Sequence, residues 1–283
     1  MDDLNGKVAV ITGGASGIGR AVATAAAGAK MKIVLADIEE RALNEAAQAL
    51  SDAGAEVFAV VTDVSDAASV EALRDRSLAH FGAVHVVHNN AGVGSGGPIW
   101  LVSEADWRWV LGVNLWGVIH GIRAFVPLLI EQRQGHVVNT ASLAGLASPP
   151  LMGPYSATKH AVVAISEILY RDLQLVGAKV GVSVLCPAFV RTGIAESGRN
   201  RPAWAPPPDP ANPLIAQLHE RSRQLVASGI DASIVADQVL EAIRTDRFYI
   251  TTHPEQNSAV ELRMRDILEG RSPTPHDPAA AQP

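Results

Sequence analysis

Seven short apolar runs, rich in β-branched residues, recur along the chain: KVAVIT (7–12), KIVLAD (32–37), VFAVVTD (57–63), VHVVHN (84–89), GHVVNTAS (135–142), VGVSVLCP (180–187) and RFYIT (247–251). Their apolar residues follow one another instead of alternating with polar ones, as in strands buried on both faces. Between them the period lengthens to that of helices, near 17–28, 39–53, 66–81, 103–131, 154–176 and 231–245. Asp66 and Ser103 are suited to cap helix starts, and Gly54 and Gly177 to end helices. Strand–helix alternation at this spacing predicts an α/β fold with a doubly wound parallel sheet of about seven strands. Right-handed crossovers place helices on both faces, and ligands bind beyond the carboxyl ends of the strands.

Two segments break the rhythm. Residues 193–228 interrupt the alternation after the sixth run and carry six prolines within RPAWAPPPDPANP (201–213). A connection that long inside a compact domain is usually functional, and a substrate-covering lid is expected. The end, SPTPHDPAAAQP (272–283), is rich in proline and alanine, so one domain over 1–270 and a disordered tail over 271–283 are expected.

Composition narrows the function classes. The net charge of -6 supplies no basic field for nucleic acid or an anionic membrane. The single cysteine, Cys186, allows no internal disulfide, and MDDLNGK lacks the blocks of a signal peptide. No uninterrupted apolar stretch reaches the ~20 residues of a membrane span. A cytoplasmic protein with a small-molecule partner is expected.

TGGASGIGR (12–20) follows the first strand and opens the first helix. Gly13, Gly17 and Gly19 let the backbone turn tightly beside a pyrophosphate, and the helix N-terminus offers unpaired N–H groups to it. A glycine-rich loop without a ligand has the same local pattern. Asp37 ends the second strand, where a carboxylate accepts from an adenosine ribose 2′-OH and repels a 2′-phosphate. Ile38 and Ser16 add no cation nearby, so NAD is expected over NADP. Asp37 is equally placed to cap the helix beginning at Glu39. Asp63 either bonds the adenine amino group or simply ends the third strand.

GPYSATKHAV (153–162) sets Tyr155 and Lys159 four residues apart, on one face of a helix. A phenol with its usual pKa of ~10 is a poor base at neutral pH. A cation ~4 Å away at an effective dielectric of ~20 contributes ~4 kcal/mol, or roughly three pKa units. Lys159 is therefore expected to tune Tyr155 toward acid/base work. Ser142, at the end of the fifth strand, belongs at the same edge of the sheet, as does NNAG (89–92). Asn114 is unfavourable inside a helix and invites a reason, such as holding a water.

TGGASGIG, NNAG, Asn114, Ser142, YSATK and CPAFVRT (186–192) together resemble the short-chain dehydrogenase/reductase family over about residues 5–195. Ala188 departs from the glycine many members carry after Pro187. The resemblance implies a single-domain Rossmann-type oxidoreductase that transfers hydride between an alcohol and NAD. It implies Tyr155 as general acid/base and Lys159 as the group that lowers its pKa and holds the nicotinamide ribose. Ser142 positions the substrate oxygen, and Asn114 supports a proton-relaying water. Thr192 would bond the carboxamide and Val190 would approach the ring through its backbone. Ser16, Ile18, Ile38, Val64, Asn90, Ala91, Gly92 and Pro187 complete the implied cofactor set. A homotetramer or homodimer is also implied.

Other readings of single residues are weaker. His85 and His88 point to opposite faces of a strand, and no H-E-x-x-H or Cys/His cluster is present, so no catalytic metal is expected. Cys186 reads as packing, and Ser142 lacks the G-x-S-x-G turn of a hydrolase. Trp107, Trp109 and Trp116 read as packing or subunit contacts. The candidate substrate residues are Val93, Gly94, Leu143, Leu151, Met152, Phe189, Ile194 and Trp204, mostly apolar. Trp204 either touches substrate or packs the lid. They suit a hydrophobic or aromatic secondary alcohol. GVNLWGVIHG, IAESGRNRPAW and FYITTHPE are similar to members that oxidise bulky aryl alcohols of the lignin-dimer type. Two other functions fit parts of the pattern: a dinucleotide-binding regulator, and an epimerase or dehydratase that retains its cofactor.

Overall fold

The apolar runs pair edge to edge in one parallel sheet. The computed structural model describes residues 1, 3–207 and 213–275, so part of the proline-rich stretch and of the expected tail lies outside the described residues. The strands are β1 (Val8–Thr12), β2 (Lys32–Asp37), β3 (Val57–Val61), β4 (Val86–Asn89), β5 (Gly135–Thr140), β6 (Val180–Cys186) and β7 (Tyr249–Thr251), in the order β3-β2-β1-β4-β5-β6-β7. Every pair is parallel. This is the Rossmann-type arrangement that the alternation predicts. The order reverses between β1 and β4, which opens a crevice at the carboxyl edge.

Successive strand residues feed two helix layers. Ile11, Leu35, Leu185 and Ile250 pack on one face with α1 (Gly17–Gly28), α2 (Glu40–Asp52) and α8 (Ala232–Thr245). Val10, Val34, Val87, Val137 and Val182 pack on the other with α3 (Ala67–Phe81), α5 (Gly117–Glu131) and α6 (Gly153–Leu175). Burial on both faces explains why the runs show no alternation. Phe125, fully buried in the second layer, is worth about 3–5 kcal/mol against alanine.

The expected helix punctuation is present. The Asp66 side chain accepts from Ala68 N, and that of Ser103 from Asp106 N. Gly54 and Gly177 lie just past α2 and α6 in the left-handed region, at φ +89° and +64°. The single helix expected over 103–131 is instead α4 (Glu104–Leu111), a π turn (Gly112–Trp116) and α5. The extra residue per turn sits where Asn114 enters the core. Glu104–Glu131 taken together is also long and apolar enough to cross a membrane. This corrects the expectation that no stretch qualifies; its inner side, Val118, Ala124, Phe125 and Leu129, is buried in the protein core. Two helices escape the sequence pattern: α7 (Pro213–Ala227), inside the proline-rich segment, and α9 (Asn257–Leu268).

A buried polar ladder docks the helices at fixed register. Asn89 Nδ2 donates to Asn139 Oδ1 at 2.8 Å, Asn139 Nδ2 to Ser166 Oγ at 3.0 Å, and Ser166 Oγ to Val162 O at 2.7 Å. It ties β4 and β5 to α6, the helix that carries Tyr155 and Lys159.

Candidate active site

The glycine turn and NNAG are joined by Thr12. Thr12 Oγ1 accepts from Asn90 N at 2.9 Å and Ala91 N at 3.1 Å, and Asn90 Nδ2 donates to Thr12 O at 3.0 Å. A Cβ at Gly13 would lie 2.9 Å from Ala91 Cα, and one at Gly19 2.7 Å from Asn90 Nδ2. These two glycines are therefore required by the packing of the turn on NNAG. Gly17 has φ +54° and faces Thr192, whose Cβ would be 3.1 Å from a Cβ there. The N-cap of α1, Ser16, makes no side-chain cap bond, in contrast to Asp66, Ser103 and Asp231. The first turn of α1 thus keeps its donors open to an anion.

Asp37 closes this end. Its Oδ2 accepts from Ala15 N at 3.0 Å and its Oδ1 from Glu39 N at 3.1 Å. Burial raises its pKa, against the pull of these N–H groups. The cap of α2 is Glu39, not Asp37. Ile38 is half exposed. Asp63 turns its carboxylate onto Ser65 N and Oγ, and Val64 is buried with its carbonyl 2.9 Å from His120 Nδ1. Arg199 contacts Glu39, two residues on. A partner 160 residues away is invisible to local reading.

Across the crevice, Ser142 follows β5 and Tyr155 opens α6. Ser142 Oγ donates to Pro187 O at 3.2 Å and accepts from Ala144 N at 3.1 Å. The 3₁₀ turn Leu143–Gly145 lies directly on the backbone of α6, where a Cβ at Gly145 would be 2.7 Å from Lys159 C. Lys159 Nζ donates to Thr140 O at 2.8 Å and lies 5.6 Å from the centre of the Tyr155 ring. Burial lowers the Lys159 pKa to about 8. Gly92 leaves room beside it; a Cβ there would be 3.7 Å from Nζ.

The Tyr155 phenol stands beside Lys159. Burial raises the phenol, and only a hydrogen bond with Ser142 works the other way. The ammonium is held by the Thr140 carbonyl. Thr140 Oγ1 in turn meets His88 Nε2 at 2.8 Å and donates to Asn90 Oδ1 at 3.2 Å.

Asn114 is fully buried. Its Oδ1 accepts from Val93 N and its Nδ2 donates to Val93 O and, at 3.5 Å, Thr158 Oγ1. Thr158 Oγ1 donates to Tyr155 O. Asn114 therefore links the loop after β4 to the start of α6. Cys186 is buried, with its thiol pushed up to about 12.

The candidate substrate residues sit on four loops at the same edge. Val93 and Gly94 follow β4, Leu143 follows β5, Leu151 and Met152 precede α6, and Phe189 follows β6. Gly97 and Met152 form a bridge, with Gly97 N donating to Leu151 O at 2.7 Å. Leu151 holds φ +67°. Val190 bridges Ile230, and Thr192 Oγ1 accepts from Ile194 N. Trp204 is 58 % exposed. Trp109 is buried under the Arg201 guanidinium at 4.4 Å, while Trp116 is half exposed. Arg201 also pairs with Asp106, both nearly buried. Sequence reasoning missed Thr140, Gly145, Thr158, Ser197 and Glu39; only glycine placement after a strand hinted at one of them.

Comparison with known proteins gives the family. A family model for short chain dehydrogenase matches residues 7–203. A crystal structure of a short chain dehydrogenase/reductase from Burkholderia phymatum in complex with NAD is 49% identical, with a TM-score of 0.96, covering 98% of this chain and 99% of that one. A CLA biosynthesis dehydrogenase/reductase of Lactiplantibacillus plantarum is 35% identical over 98% of both chains. A C alpha-dehydrogenase of Sphingobium sp. is 35% identical over 100% of this chain and 92% of its own. The chain belongs to the short-chain dehydrogenase/reductase family of oxidoreductases.

Proposed function

We propose that the protein is an NAD(H)-dependent oxidoreductase that interconverts a hydrophobic, aryl-bearing secondary alcohol and its ketone. The observation that carries this reading is a buried lysine at the carboxyl edge of the sheet, with Lys159 Nζ on Thr140 O at 2.8 Å and 5.6 Å from the centre of the Tyr155 ring. Bound NAD supplies the hydride acceptor in oxidation, and NADH the donor in reduction. Ser142 holds the substrate oxygen. Tyr155 takes the hydroxyl proton as the alcohol is oxidised and returns it to the carbonyl oxygen in reduction. Lys159 stabilises the tyrosinate and binds the nicotinamide ribose, while Asn114 supports a water through which protons reach solvent.

The turn Gly13–Gly19 receives the pyrophosphate at the uncapped α1 terminus. Asp37 accepts from the adenosine ribose, Asp63 from the adenine amino group, and Thr192 meets the carboxamide. Val93, Leu143, Met152 and Phe189 line the substrate side, which is mostly apolar; among the described residues the arginines near it, Arg191, Arg199 and Arg201, pair with Asp231, Glu39 and Asp106. Relatives named dehydrogenases, among them the C alpha-dehydrogenase, support an alcohol substrate. The test is a panel of secondary alcohols and ketones run separately with NAD(H) and NADP(H). Aryl alcohols oxidised with NAD are expected. No turnover with any alcohol, or turnover that returns the cofactor unchanged, contradicts the reading.

A further inference from the structure

The loop after β2 carries two carboxylates, and they look in different directions. Asp37 is tied to the glycine turn through Ala15 N. Glu39 is gripped from the segment after β6. Arg199 Nε donates to both its oxygens, at 3.0 and 3.2 Å, and Asn200 Nδ2 donates to Oε1 at 2.8 Å. This grip lowers the Glu39 pKa. Arg199 also donates to the carbonyls of Gly193 and Glu196, so its guanidinium is fixed to its own turn. The same turn, Ile194–Asn200, reaches the loop after β4, where Ser197 Oγ accepts from Gly94 N at 2.9 Å. It therefore spans the crevice from the nicotinamide side to the adenosine side. Arg41, the other cation close in sequence, is exposed and paired with Glu45.

We propose that Glu39 is a second determinant of dinucleotide choice: it neutralises Arg199, the cation this fold carries to the adenosine-ribose end, and so denies a 2′-phosphate its partner. The proposal rests on the reading of Asp37 as the ribose acceptor. Asp37, Glu39 and Arg199 together carry a net formal charge of -1, from two carboxylates and one guanidinium. Glu39→Gln brings this to zero and removes the charge that neutralises the guanidinium. Arg199→Met brings it to -2. A phosphate monoester of about -1.5 to -2 charge feels these changes, and a ribose hydroxyl hardly does. Arginine, with its planar fork of donors, is well suited to grip a phosphate once freed.

The test is calorimetric titration of NAD and of NADP, each alone, into wild type, Glu39→Gln, Arg199→Met and the double variant. Binding is read directly, so no substrate is needed. The ratio of NADP to NAD affinity is expected to rise by about three- to tenfold in Glu39→Gln and to fall by a similar factor in Arg199→Met. The double variant should return near the wild-type ratio, and added salt should compress the series. If the pair only fastens the turn across the crevice, both single variants weaken both dinucleotides alike and the ratio stays put. That result, or a shift of the ratio in the same direction in both, overturns the proposal. Asp37→Asn tests the underlying reading separately: a ratio unchanged there removes Asp37 from the ribose site, whatever the order of the other variants.

Discussion

The side-chain amide of Asn114 brackets one residue of the loop after β4, accepting from Val93 N at 2.8 Å and donating to Val93 O at 2.9 Å. The π turn Gly112–Trp116 puts the amide there. The loop that carries NNAG into the site is thus fastened to a helix as well as to Thr12 at the end of β1. Asn114→Leu keeps the volume and leaves both Val93 groups buried and unpaired. Each such group costs about 1–3 kcal/mol. A loss of about 3 kcal/mol in urea unfolding is expected, together with weaker dinucleotide binding.

Gly145 sets how closely Ser142 approaches α6. A Cβ there meets the Lys159 carbonyl, with 2.7 Å to its carbon, and neither backbone can yield cheaply. Gly145→Ala should displace the Ser142 turn from Tyr155. A fall in kcat of at least about tenfold is expected for a misplacement of this kind, read as steady-state turnover of a panel alcohol.

Dinucleotide binding should weaken in mild alkali. Burial brings the Lys159 pKa down to about 8, below the usual ~10.4. Its charge is therefore present below pH 8 and lost as pH rises through it. NAD affinity is expected to fall across that step, and Lys159→Met should abolish the step while lowering affinity throughout. Tyr155 works in the opposite direction for the chemical step. Its raised pKa keeps the phenol protonated at neutral pH, which suits ketone reduction, whereas alcohol oxidation should quicken as pH rises.

Acid should destabilise the fold through two buried imidazoles. Burial lowers the pKa of His88 and of His136 to about 3, below the ~6.5 of an unfolded chain. Between those values the unfolded state binds more protons than the folded one. Stability is then fully present above pH 6.5 and is lost as pH falls below it, by up to ~1.4 kcal/mol per pH unit for each histidine. His136→Asn should flatten the dependence of Tm on pH between 4 and 6.5.

What the sequence made legible was local. Seven two-faced strands, the glycine turn, the caps at Asp66 and Ser103 and the Tyr155–Lys159 spacing each need only a few consecutive residues to recognise. The contacts that complete the site are long-range: Glu39 with Arg199, Gly145 with Lys159, Asn114 with Val93. The π turn left no trace in the apolar pattern, because Trp109 and Val110 before it and Val118 to Leu129 after it are spaced as in a helix. α7 was hidden by the prolines before it and by its polar outer face. The direction of the Lys159 ammonium was not legible either, because spacing along a helix does not show that the Thr140 carbonyl takes it.

The central claim is that Tyr155 carries the proton in a hydride-transfer reaction. The most direct measurement is NADH formation by Tyr155→Phe with the best alcohol of the wild-type panel, alongside calorimetric titration of NAD. Removing the hydroxyl alone should leave NAD binding within a few-fold of wild type and cut turnover by at least about a hundredfold, the low end of general acid–base contributions. A Tyr155→Phe variant that binds NAD and still turns over at the wild-type rate contradicts the account.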